Sequence, residues 1–186
     1  MDLRSIAFNN LLGAFLVVNL LHLYLIESQR DDRKDTISYY ALKNRQTYFL
    51  FIIGHLIGAY LFYTFAQTFF LDVFQLRSAY WFAVIGVIAE CTQAFIPARG
   101  HWEKYHRFLA YLMAWMTIAI GLSSAISLPI PLPTRIFSFV LLAMMVLLII
   151  ATNTIIKAKH FWMVQVIAIQ MFYIQMFLMV TQARIG

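Results

Sequence analysis

Six stretches of about 20 residues in this chain carry almost no charge, and that pattern limits its fold more than any motif does. A helix crossing a hydrocarbon core of ~30 Å needs about 20 mostly apolar residues. The runs cover about residues 5–26, 46–71, 79–97, 105–128, 134–156 and 160–183. Their apolar character is continuous instead of alternating, which disfavours a β-barrel, and open strands would leave backbone groups unsatisfied in lipid. The expected class is therefore all-α: a polytopic membrane protein, a six-transmembrane-helix bundle forming one integral membrane domain. Composition supports this. The 186 residues are 62% hydrophobic and 12% charged, against about 45–50% and 25% in soluble domains. A water-soluble fold is excluded, and an aromatic content of 17% excludes disorder.

Punctuation between the runs agrees with six spans. Residues 72–77 separate the second from the third, Pro97-Ala98-Arg99-Gly100 ends the third, and Pro129, Pro131 and Pro133 precede the fifth. Lys157-Ala158-Lys159 alone joins the fifth and sixth, predicting a tight hairpin. Glu27–Arg45 is the longest polar connection and ends near Tyr39-Tyr40, where a short interfacial helix is expected. The first segment lacks a small-residue cleavage pattern and is expected to stay in the mature protein.

Lys and Arg set the orientation. The connections after spans one, three and five hold ten of the 14 basic residues, so both termini are expected outside and these three loops in the cytoplasm. The net charge of +6 is thereby read as topology. Nucleic acid is not an expected partner, because the basic residues form no single stripe interleaved with aromatics. The expected location is the plasma (inner) membrane of a prokaryote.

Every histidine falls in the half of the spans nearer those basic loops: His22, His55, His101, His106 and His160. At 1.5 Å per residue, His55 sits roughly 12 Å and Glu90 roughly 10 Å inside that end. Glu90 is the only acidic residue within a predicted span. A charge there costs on the order of 2.5–3.5 kcal/mol, which demands an interior position and a partner. Small residues line up with it at helical spacing: Ala83, Gly86, Glu90, Gln93 or Ala94, and Pro97 on span three, and His106, Ala110, Ala114, Thr117, Gly121 and Ser124 on span four. Span two offers Gly54 and Gly58 around His55, a GxxxG spacing that permits close helix approach. Spans two, three and four are the expected central cluster.

For Glu90 a proton-sensitive or substrate-contacting role competes with that of a buried hydrogen-bond partner. For His55 and His106 a site role competes with helix-to-helix bonding. His22, His101 and His160 are read as interfacial. Gln165, Gln170 and Gln175 are spaced by five and read as interhelical bonds. The lone Cys91 argues against disulfide chemistry. No catalytic motif is present, and His101 and His106 are too poorly spaced for a metal pair on one helix face. A bis-histidine haem b at one end of the bundle, with His55 and His106 as ligands and Glu90 alongside, is the alternative as a redox or proton-coupled protein.

The stretch Ala89-Glu90-Cys91-Thr92-Gln93-Ala94-Phe95-Ile96-Pro97, then a short basic loop and Tyr105-His106-Arg107-Phe108-Leu109-Ala110, resembles the FRAG/DRAM/SFK-type six-span membrane proteins and their bacterial relatives. A weaker likeness, through Glu90, Gln93 and Arg99, is to VanZ-like membrane proteins. The first resemblance implies a non-catalytic role tied to membrane lipids, with Glu90 and His106 at its characteristic polar positions. The expected function is thus a non-catalytic, lipid-associated or complex-associated membrane protein, without metal or cofactor. Membrane lipids, further membrane subunits or a second copy are the expected partners, and His55, Glu90, Gln93, Arg99 and His106 form the candidate site.

Overall fold

The computed structural model describes residues 2–28, 37–154 and 161–184. It is all-helical among these residues. The elements are α1 (Leu3–Glu27), α2 (Ile37–Ala41), α3 (Arg45–Ala66), α4 (Arg77–Phe95), α5 (Glu103–Ser127), α6 (Leu132–Thr154) and α7 (Phe161–Gln182). Six of the seven, α2 being the exception, are long and apolar enough to cross a membrane. The predicted tight hairpin at 157–159 and His160 lie outside the described residues.

Local chemistry explains the boundaries. The side chain of Asp2 accepts from the Arg4 backbone N–H and opens α1. Asn44 and Thr47 form a reciprocal capping box at α3, with the Thr47 N–H donating to Asn44 at 2.8 Å. Beyond Ala66 the α3 ladder widens into a π-helical turn, Gln67–Val73, which buries Phe69 and Phe70 fully. Gln75 then turns the chain with φ 52°, and the Leu76 N–H reaches back to the Phe70 carbonyl at 2.6 Å. Helix α4 ends at Phe95, because Pro97 disfavours helical geometry in the preceding residue. Gly100 at φ +59° starts a single 3-10 turn leading into α5. Pro129 closes α5.

The six long helices form a closed ring: α1 packs on α3, α3 on α4, α4 on α5, α5 on α6, α6 on α7, and α7 returns to α1. Helix α7 also touches α5 across the interior. At one end the two termini meet, with Arg4 donating from its Nη2 to the carbonyl of Val180 at 2.9 Å and to that of Ala183. The Arg184 N–H joins them to the α5–α6 turn through the Pro129 carbonyl, 3.1 Å away. The main core runs from Leu11 and Phe65 through Ile120 to Met176 and Met179, and a smaller cluster of Leu21, Leu25, Ile37, Phe51 and Ala94 fills the opposite end.

The structure refines two expectations here. The short helix expected before span two is α2, with Tyr40 and Ala41 fully covered against α1 and α3. Ile37, Tyr40 and Ala41 give it an apolar packed face, while Tyr39 is exposed. The central cluster is also wider than spans two to four, because α1 and α7 both contribute to the interior.

Candidate functional site

The site begins with the glycines of α3. A Cβ added at Gly54 would lie 2.7 Å from Leu21 Cδ2, and one at Gly58 would lie 2.9 Å from Val18 Cγ2. Their missing side chains let α1 approach, which brings His22 against His55 with ring centroids 5.8 Å apart. Phe51, one turn earlier on α3, lies against the His55 ring with centroids 4.3 Å apart. From α4, Glu90 reaches His55, its Oε1 2.9 Å from Nδ1. The two residues read from sequence at matching depth therefore touch. The remaining ring nitrogen of His55, Nε2, is buried and has no hydrogen-bond partner among the described residues.

Gln93 lies one turn beyond Glu90 yet belongs to a different assembly. His106, 6% exposed, has Nδ1 2.7 Å from the Ile96 carbonyl. A carbonyl only accepts, so Nδ1 carries a hydrogen. Nε2 lies 3.1 Å from the Gln93 amide nitrogen and 3.0 Å from the Ser38 hydroxyl. His106 thus ties α2, the end of α4 and the start of α5 together. Arg99 joins neither group; it is exposed in the loop before the 3-10 turn. His101 is likewise exposed, its ring tilted 42° to that of Trp102 with centroids 4.8 Å apart.

Two adjoining cavities, of about 110 Å³ and about 200 Å³, lie between these assemblies. His22, His55, Met113, Thr117, Ile169 and Phe172 line both. Glu90 borders the smaller, and Ser38, Gln93 and Gln165 border the larger. The span-four stripe predicted from sequence faces inward here, Ala110, Ala114 and Thr117 forming part of the wall. A larger open hollow of about 650 Å³ sits elsewhere, over His101 of the 3-10 turn and Lys104 and Arg107 at the start of α5.

Sequence reasoning missed two contributors. His22, read as interfacial, is 6% exposed and lines both cavities, because the α3 glycines let α1 approach. Its i, i+4 spacing from Val18, which faces Gly58, was the available signal. Ser38 had no signal, since its contact spans 68 residues of chain. The α7 glutamines diverge as their spacing implies. Gln165 accepts from the Ile37 N–H at 3.4 Å, and Gln170 donates to Asn19 of α1. Gln175 is fully buried, its amide within 2.8 Å of where a Gly121 Cβ would stand.

Haem finds no support in this donor set. Both ring nitrogens of His106 are engaged, and His55 keeps only one without a partner, so the two do not offer the pair of free nitrogens that a bis-histidine iron takes. No group of three or more His, Cys, Asp or Glu suited to a metal ion occurs among the described residues. The likeness to FRAG/DRAM/SFK-type and VanZ-like proteins rests on the quoted residues alone, for no family model matches the chain, and neither does any curated protein or solved structure.

Proposed function

We propose that this protein is a non-catalytic integral membrane protein that associates with lipid, and that its interior cavity receives part of a lipid-like molecule. The observation that carries this reading is the cavity itself. Its wall is predominantly apolar, with a few convergent polar groups, which is the composition of small-molecule sites in general. The exterior agrees in character: Leu20, Tyr60, Ile88, Phe108 and Leu147, on five different helices, are each at least 60% exposed. Apolar exposure on this scale calls for a lipid or protein covering. Both termini are proposed outside and the basic loops in the cytoplasm, by the distribution of Lys and Arg.

Filling the cavity tests the proposal. Ala114 is part of its wall, and Ala114→Phe places a ring in that space. Native mass spectrometry of gently purified protein is expected to find copurified lipid on the parent chain and at least fivefold less on Ala114→Phe, with the helical circular dichroism retained. Equal lipid on both would show that the cavity is not the binding place. Stoichiometric extra protein chains without lipid would favour the complex-associated role.

A further inference from the structure

The open hollow at the start of α5 is built unlike the interior cavities. Its rim carries two cations, Lys104 and Arg107, and one carboxylate, Glu103, which Arg107 holds in an i, i+4 ion pair. Lys104 is the charge left over. Its ammonium lies 4.9 Å from the centroid of the Tyr105 ring and has no hydrogen-bond acceptor or carboxylate partner among the described residues. Arg4 and Arg135, by contrast, each spend a guanidinium nitrogen on carbonyls of the protein itself. The start of α5 adds to the positive character of the hollow, because no side chain caps it and its dipole attracts an anion.

Inward from this charge the same helix face turns apolar. Lys104, Phe108, Tyr111 and Trp115 follow one another at i, i+4, i+7 and i+11, the spacing of a single face. Phe108 is 65% and Trp115 47% exposed, so the stripe is an outer surface of the bundle. At 1.5 Å per residue it runs roughly 16 Å from the cation toward the middle of the span. Trp102 and Tyr105, both exposed, flank Lys104 at the level where aromatic belts meet headgroups. A lysine that only orients the chain needs a loop position and nothing more. Here a hollow lies beside it and an apolar track leads away from it, which together match the shape of a phospholipid.

We infer that this hollow holds the phosphate of an anionic phospholipid against Lys104, with an acyl chain lying along Phe108 and Trp115. Charge complementarity chooses the occupant. Two cations against one carboxylate leave the rim positive, and a zwitterionic lipid would bring a second cation to it. The proposed orientation puts this end in the cytoplasmic leaflet, whose surface potential is negative. The inference rests on the membrane-spanning reading above and is independent of the interior cavity.

The experiment uses the full chain in detergent, with dioleoyl phosphatidylglycerol or dioleoyl phosphatidylcholine added at equal concentration and occupancy read by native mass spectrometry. Phosphatidylglycerol is expected to bind about fivefold better, the effect of about one basic side chain at a membrane surface, and to lose that advantage at high salt. Lys104→Gln is expected to bring it to the phosphatidylcholine level. Arg45→Gln removes the same charge at the same end of the bundle, outside the hollow, and is expected to leave the preference intact. Glycerol phosphate, which has the charge without the chains, is expected to displace the lipid poorly. Should Lys104→Gln not fold, the parent chain still decides: phosphatidylglycerol with a photoreactive acyl chain is expected to label residues 104–115. Equal binding of the two lipids, an equal loss with Arg45→Gln, displacement by equimolar glycerol phosphate, or labelling confined to other helices would each overturn the inference. The cavity reading is tested apart from it, because an open surface site exchanges its lipid and is read with added lipid, whereas the enclosed cavity is read by what copurifies. Ala114→Phe is accordingly expected to leave the phosphatidylglycerol preference unchanged, and Lys104→Gln to leave the copurified lipid unchanged.

Discussion

At the scale of residues, four described histidines illustrate how one side chain is read by its surroundings. His101 is exposed and contributes little. His106 has a partner at each ring atom that can bond, and its role is to hold the α2, α4 and α5 ends together. His106→Ala would orphan the Ile96 carbonyl and remove the shared partner of Gln93 and Ser38. A loss of about 2–4 kcal/mol is expected in reversible detergent unfolding, whereas His101→Ala is expected within about 0.5 kcal/mol of the parent. Equal effects would mean that the His106 bonds are matched in the unfolded, membrane-embedded state. His55 and His22 differ from both, as they meet inside a cavity instead of closing a joint. Sequence depth alone paired His55 with Glu90 correctly, because both distances run along a helix axis with a known rise. Gln93, one turn further along the same face, bonds to His106 instead of to the pair, though it shares the wall of the larger cavity with His55.

At the scale of elements, the termini show how a ring of helices is closed without a covalent link. The last carbonyls of α7 lack partners within their own helix. Arg4 supplies them, and its guanidinium sits at the negative end of the helix dipole. Arg4→Ala is expected to cost about 1 kcal/mol and to speed amide exchange in the last turn of α7, residues 179–182, with exchange around His55 and Glu90 unchanged. An unaltered last turn would show that the Arg184 bond to Pro129 suffices. The π-helical turn after α3 has a comparable effect on geometry. It carries Phe69 and Phe70, both fully buried in the main core.

At the scale of the molecule, the ring of six helices sets a testable topology. In a Cys91→Ser background, Gln75→Cys, in the exposed α3–α4 turn, is expected to react with a membrane-impermeant maleimide on intact cells. Lys104→Cys, exposed at the other end, is expected to react only after permeabilisation. The reverse pattern would invert the proposed orientation. The six spans and their breaks at Pro97 and Pro129 were legible in the sequence, since length, charge and proline act locally along the chain. The inward stripe of α5 was legible too, through its spacing of small residues. The burial of α2, the arrival of His22 beside His55 and the contact from Ser38 to His106 were not. Each depends on which helix lies next to which, and the surrounding apolar faces are too alike for pattern alone to choose among neighbours. Close approach at Gly54 and Gly58 made that choice for α1 and α3, and the cavity lies where the ring then left its interior incompletely filled.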